Sequence, residues 1–546
     1  MNGSNSYVGG NYIKGGTVRV SKLANQYSET GNLGGVTKYA SLFTMENGAV
    51  LQATAAVETA SPMKMVGDEG GVVTSNADFR MNASLSGTVL TKKGSGCLFA
   101  MANNTLSRLV IAAGSVAAQS GNPASTVEFQ GGTLWDDSQA TTHAIHVPKY
   151  MSGTWQLTYT YYTAYSNKLT GSGTLTIVPR NTVSRVRITG DWSQFEGTIK
   201  HTNKDIWLPL DMSGGMPKGT LNIAEGCLVS NVAKTFTIGR LTGKGMLNEP
   251  VYNFRNSNSV SGSNTWEVGN SWEDGGDFIF DGTFVDGGGS NKCIFNKIGT
   301  CKMSVSGKST HSGTTTVKGG ELNVKSGAQL GTGSLTVWNG ATLSGVTTTN
   351  IPLVNPSVTF NSGATLQVGA FVNADFGQMC FGGKNVTFMS GSVLKIAVTD
   401  CATTNSTGGT SIQDIGRLTM NGTVDVLVPE YHTLNVGDSI LLWKNVNSVI
   451  GTPVLKTIVF DEEHGLYWDT TDIAAGILRV AQTQRFPLGD VNHDGDVTVA
   501  DASLVVEYVL GKTPAVFFIE NADVNNDGYV NITDITKIIE IVLTGQ

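Results

Sequence analysis

The chain has 546 residues, enough for at least two domains, and it is rich in glycine (68) while only 14% of its residues are charged. Its formal net charge of −7 leaves no basic footprint, which argues against nucleic acid as a partner. The six cysteines (Cys97, Cys227, Cys293, Cys301, Cys380 and Cys401) are scattered without CxxC pairs. That spacing excludes zinc clusters and a dense disulfide framework, leaving free thiols stacked in a β core. No apolar run is long enough to span a bilayer. Residues 1–6 lack the charged and apolar regions of a signal peptide, so a mature or excised form is expected.

From the amino terminus onward the dominant signal is a repeat. Its first half reads Gly-x-Leu-x-Val/Ile, as in Gly173–Ile177, Gly219–Ile223, Gly320–Val324 and Gly333–Val337. Its second half reads Gly-Ala-x-Leu, as in Gly327–Leu330, Gly340–Leu343 and Gly363–Leu366. Apolar and small polar residues alternate with period two, which predicts short strands with one buried face. Such strands, with no helices between them, cannot bury that face alone; stacked in coils they share one long core. A β-solenoid is therefore expected over residues 1–395. The Asn-Gly pairs at Asn339 and Asn421 are read as corner turns, with a meander or sandwich as the competing fold.

Three groups of acids punctuate these strands: Asp136-Asp137, Glu273-Asp274 with Asp277 and Asp281, and Asp461 to His464. Clustered carboxylates are what a β-helix hydrolase or lyase needs, but each group also reads as a solvated turn. The aromatic run Trp155, Tyr159, Tyr161, Tyr162 and Tyr165 has the shape of a sugar platform. Alternation along its strand points instead to a ladder inside the coil.

The longest readable stretch, Trp266 to Val346, resembles the autotransporter-associated β-strand repeat of bacterial surface proteins, and weaker copies begin near Asp78 and Lys168. The resemblance implies a parallel right-handed β-helix displayed outside the cell. The run of alternating strands that would form an outer-membrane barrel does not follow it. Residues 396–482 have longer strands and resemble the segment that closes such repeats; a β cap over the last coil is expected there.

Residues 483–546 change character. The twelve residues from Asp490 to Asp501 are repeated, 33 residues on, from Asp523 to Asp534. Each copy has oxygen-bearing side chains at positions 1, 3, 5, 9 and 12 and Gly at position 6, a spacing that wraps a chain around one calcium ion. Pro487 forbids a helix before the first loop. Helices are predicted only after the loops, over 501–510 and 534–543. Their stripes, Ala502, Val505, Val506 and Val509 in one and Ile535, Ile538, Ile539 and Val542 in the other, are expected to face each other.

These residues resemble a type I dockerin. The resemblance implies two calcium ions. The first is held by Asp490, Asn492, Asp494, Thr498 (through water) and Asp501, with the main-chain carbonyl of Asp496. The second is held by Asp523, Asn525, Asp527, Asn531 and Asp534, with the carbonyl of Tyr529. It also implies a cohesin partner read by Val499, Ala500, Val506 and Glu507 and by Ile532, Thr533, Ile539 and Glu540. Three functional readings follow. One is a non-catalytic, scaffold- or adhesin-like surface protein that docks through the module, with room for glycan contact. The second is a dockerin-borne polysaccharide-degrading enzyme. The third is a passive fibre with a calcium-stabilised cap.

Overall fold

The computed structural model describes the chain apart from residues 1–2, 6–8, 26–29, 36–41, 119–120, 137–140, 158–163, 180–186, 213, 232–234, 248–262, 270–275, 288–290, 370–376, 399–409, 429–432, 463, 484–485 and 545–546. The repeats form parallel ladders. One stack runs from Asn11–Ile13 through Phe43–Glu46, Met63–Val66, Leu85–Lys93 and Thr105–Ile111 to Leu169–Gly171. A second starts at Val57–Thr59, passes Phe79–Met81 and Cys97–Ala100, and divides after Thr235–Gly243. Its two branches end at Trp443–Ile450 and Val454–Leu455. A third, shorter stack joins Ala164–Tyr165 to Thr283–Phe284. Among the described strands, Val57–Thr59 pairs only with Phe79–Met81, and Val454–Leu455 only with Thr423–Leu427. The assembly is thus an open-ended stack of coils, a parallel β-helix. The meander and sandwich readings fail because neighbours run parallel. Asn339-Gly340 is a coil corner, with Gly340 at φ 75° and the Ala341 amide donating to the Trp338 carbonyl.

Register explains why the repeat phrase recurs. Met303, Leu322, Leu343, Leu366, Leu394, Val424 and Leu455 occupy one column, each opposite the next, and all are buried. Coils about 4.8 Å apart bring such side chains into contact, and each buried aliphatic contributes roughly 1.5–3 kcal/mol. A neighbouring column stacks Phe360 on Phe388 with centroids 4.6 Å apart. Lysines also enter the interior. Lys297 stands opposite Val317 in a core column, and its Nζ donates to the carbonyls of Ile298 (2.8 Å) and Gly319 (3.2 Å). Lys92 does the same with Lys93 and Gly94, both at 2.9 Å. Burial lowers the Lys92 amine to about 8 and lowers that of Lys297 as well; each ammonium donates to two main-chain carbonyls.

The five described cysteines are free and buried, and burial raises the thiol pKa of Cys97, Cys227, Cys293 and Cys380. Cys401 lies outside the described residues. Parallel pairing continues past residue 396, into the expected cap segment, through Ser411–Met420 and Thr423–Leu427. A four-stranded antiparallel sheet then closes part of the end: Ser439–Leu441, Ile477–Gln482, Leu466–Asp469 and Val459–Asp461, with Trp468, Leu478 and Val480 joining the core. No helix among the described residues is long and apolar enough to cross a membrane.

Two outcomes test this packing. Leu343→Ala, in the middle of its column, is expected to lower stability by about 3 kcal/mol in denaturant titration. Burial holds His143 neutral down to about pH 3 in the folded chain, whereas the unfolded chain takes a proton near pH 6.5. Stability from this residue is therefore present above pH 6.5 and lost as pH falls towards 3, at about 1.4 kcal/mol per pH unit. His143→Gln should flatten the acid limb of the stability profile by about that slope.

A candidate calcium and docking module

Two helices define the C-terminal module: α1 (Val499–Val509) and α2 (Ile532–Thr544). Both begin two residues before the sequence predicted, inside their loops. The reason is a capping box: Thr498 Oγ1 accepts from the Ala500 amide while the Asp501 carboxylate accepts from the Thr498 amide. Position 12 of the loop is thus also the third residue of the helix. Among the described residues no α-helix leads directly into either loop; a single 3-10 turn, Ile519–Asn521, leads into the second.

The two loops share the same main set of hydrogen bonds. Asp490 accepts from the amides of Asp494 (3.2 Å) and Gly495 (2.9 Å); Asp523 accepts from Asp527 (3.1 Å) and Gly528 (2.8 Å). Asp501 accepts from Val491 (3.0 Å), Asn492 (3.2 Å) and Thr498 (2.8 Å); Asp534 accepts from Val524 (2.9 Å), Asn525 (3.2 Å) and Asn531 (2.9 Å). Asn492 and Asn525 each donate to the carboxylate two residues on, at 2.8 Å. Asn531 Nδ2 lies 3.3 Å from the Tyr529 carbonyl, so positions 7 and 9 are neighbours. The turn needs left-handed backbone twice per loop, at His493 and Asn526 (φ 57° and 60°) and at Gly495 and Gly528 (φ 102° and 84°).

These oxygens suit a hard cation. Asp490, Asp501 and Asp534 are fully buried, and among the described residues no aspartate of either loop forms an ion pair with Lys, Arg or His. Buried carboxylates served only by amides and hydroxyls carry uncompensated charge, at a cost of several kcal/mol each. A cation that takes six to eight oxygens removes that cost. No cluster of three or more His, Cys, Asp or Glu side chains meets the spacing of a metal centre among the described residues. The loops depend instead on mixed carboxylate, carboxamide, hydroxyl and carbonyl oxygens.

The module has its own small core of Val491, Ala502, Val505, Ala522 and Ile538, with Val497, Val524, Val530, Ile535 and Val542 partly buried against it. The expected helix stripes are therefore split. Val506, Val509 and Ile539 point outward, and their places are filled by valines at loop positions 2 and 8. Val491 and Val497, matched by Val524 and Val530 in the second copy, are the sequence signal for this packing. The outward residues belong to the expected partner face. Val499 is 64% exposed, Val506 38%, Ile532 71% and Ile539 42%. Ala500 is exposed as well. Thr533 is committed to its loop, accepting from Asn525 Nδ2 and donating to Asn531 Oδ1, each at 2.8 Å. Glu507 and Glu540 pair with Lys512 and Lys537 on the helix surface.

Two further features were not read from the sequence. His493 is sandwiched between Phe486 and Phe518, with ring centroids 3.8 and 3.7 Å away and planes within 9°. Asn521 Nδ2 donates to the carbonyls of Phe486 and Pro487, both at 3.0 Å. The segment before the module is thereby fastened to the first loop. An open groove of about 580 Å³ lies beside the second loop, lined by Leu488, Tyr508, Ile519, Glu520 and Tyr529. It shares no residue with the expected partner face.

In the solenoid, Asp136 is buried and accepts from Thr141 Oγ1 (3.0 Å) and Trp155 Nε1 (3.1 Å). It is an interior acid, contrary to the solvated-turn reading. Trp155 is fully buried edge-on to Tyr165, so it belongs to the core and offers no sugar platform. Tyr159, Tyr161 and Tyr162 lie outside the described residues, as do Asp137, Glu273 and Asp274. Asp277 accepts from the Lys302 amide, Asp281 from Ser306, and Asp461 from the His464 amide. The first two contacts join successive coils; the third is local, and Asp461 also pairs with His464 Nδ1 at 2.9 Å on the exposed surface.

No curated protein matches the chain. Residues 488–543, the segment that holds both loops and both helices, match the family model of the dockerin type I domain.

Proposed function

We propose that the chain is an extracellular or cell-surface β-helix protein whose C-terminal module binds two calcium ions and docks on a cohesin-type partner. One observation carries the docking reading. In a segment that matches the dockerin type I domain, each loop is followed by a helix that turns apolar residues outward, Val499 and Val506 in one copy and Ile532 and Ile539 in the other. A solitary module has no use for aliphatic residues placed so regularly in water. When bound, calcium supplies positive charge at the buried carboxylates. The chain's own residues do the rest: Asp501 and Asp534 tie each loop to the first turn of its helix, so the loop's order sets the angle of the docking face. We read the solenoid as a non-catalytic, scaffold- or adhesin-like body. The interior placement of Trp155 and the structural hydrogen bonds that Asp277 and Asp281 accept from the next coil support that reading. Turnover of acidic or plant polysaccharides by the full chain would replace it with the enzyme reading.

Isothermal titration should return two calcium ions per chain, and Asp534→Ala should return one. Saturating calcium at about 100 times its dissociation constant should stabilise the module by about 2.7 kcal/mol per site, about 5 kcal/mol for two, over EDTA in thermal melts. Immobilised full-length chain should retain cohesin domains in calcium and release them in EDTA. The double variant Val506→Asp, Ile539→Asp should weaken capture about 100-fold or more while calcium uptake stays intact. Capture that ignores EDTA, or none with any cohesin, would leave the module as a calcium-stabilised cap.

A further inference from the structure

The two loops of the module differ in what covers them. Position 4 of the first loop is His493, and its ring is closed on both faces by Phe486 and Phe518. Position 4 of the second is Asn526, an exposed residue on the open groove of about 580 Å³. The remaining walls of that groove are of three kinds. Leu488 and Ile519 give exposed aliphatic surface. Tyr508 and Tyr529 give aromatic rings, and Phe517 backs the Tyr508 ring with centroids 4.8 Å apart. Glu520 gives a carboxylate with neither a hydrogen bond nor an ion pair among the described residues. It stands on the 3-10 turn whose last residue, Asn521, is tied to the carbonyls of Phe486 and Pro487. Asp523 also lines the groove, but its carboxylate already accepts from the amides of Asp527 and Gly528.

We propose that this groove is a second protein-binding site of the module, one that takes a basic segment of a partner through an arginine side chain. Arginine is amphipathic in the same way as the walls. Its methylene stem lies on apolar surface, its planar guanidinium stacks on aromatic rings, and its charge is met by a carboxylate. With Glu520 otherwise unpartnered, the hydrogen bond between them is charge-assisted and displaces no internal contact. The surroundings have the right sign. The module carries the whole net charge of −7, and two calcium ions offset only four of those charges, so the field at the groove stays negative. The volume lies within the range of ligand clefts, about 300–1,000 Å³, so residues flanking the arginine enter with it. In the first copy the chain covers its own loop with stacked rings; in the second, a planar cation from outside takes that role. Because the groove and the expected cohesin face have no residue in common, this site stands or falls independently of the docking reading.

The test is calorimetric titration of the full chain, in calcium, with a capped Ala-Arg-Ala peptide. Binding should show a dissociation constant on the order of 0.1–1 mM. Citrulline in place of the arginine keeps the shape and removes the charge, and should weaken binding about 10-fold. Glu520→Gln should weaken it by about the same factor. Tyr508→Leu, which keeps apolar bulk against Phe517 and removes the ring, should weaken it about 5-fold. Calcium uptake should be unchanged in both variants, which shows that the module is still folded. No heat of binding at about 10 mM peptide overturns the proposal. So does equal binding of the citrulline peptide, indifference to Glu520→Gln, or a preference for an uncharged oligosaccharide over the arginine peptide.

Discussion

Register between successive coils is the constraint on which the molecule depends. A parallel strand gives its amides and carbonyls to the coils on either side, so no coil is satisfied until its neighbours are in place. The same register puts like residues over like residues, which is why the interior consists of columns. It also explains the small, polar character of what faces water: outward positions need only strand propensity, and threonine recurs there, as at Thr316, Thr336, Thr359, Thr387 and Thr419. Wherever the column pattern is broken by a lysine or histidine, the interior has to supply specific partners. Lys92 and Lys297 find them in corner carbonyls. Both ring nitrogens of His143 are buried without a hydrogen bond, and the acid facing it is the buried Asp136 carboxylate, 3.9 Å from Nε2.

The C-terminal module is organised on the opposite principle. Its core is five fully buried residues with partly buried neighbours, too small to hold two helices by apolar burial alone. Order comes from polar loops whose aspartates gather main-chain amides and present the other face of each carboxylate to a cation. The long body is thus stabilised by length and repetition, the short C-terminal module by two compact polar knots. The charge follows this division. Ten acidic and three basic residues fall between 483 and 546, which accounts for the whole net charge of −7 and leaves the solenoid neutral.

Much of this was legible in the sequence, because repetition is a one-dimensional signal. Gly-Ala-x-Leu announces a corner followed by a column residue, and the loop spacing announces its own geometry. What stayed hidden needed three dimensions. Alternation places Trp155 in a ladder inside the coil, but that its indole is held by the Asp136 carboxylate is visible only in the fold. Asp136 is interior because strand alternation puts it on the same inward face as Leu134. The helix stripes were misassigned because an offset of 0, 3, 4 and 7 marks a broad face, and only part of it meets the partner helix. The loop valines cover the remainder.

The stacked rings of Phe486, His493 and Phe518 have a mechanical consequence. The Thr483 amide is bonded to the Gly465 carbonyl in the antiparallel sheet, and Phe486 is already fastened to the first loop. The covalent tether between the two bodies is therefore at most about 10 Å of extended chain. Tension between an anchored module and a dragged solenoid enters through Phe486, directly onto the loop that contains Asp490 and Asp494. Under load the loop is pulled as a knot is pulled, from its own free end. The grip on the cargo is then set by the strength of the folded loop, and hardly at all by the slack of the tether.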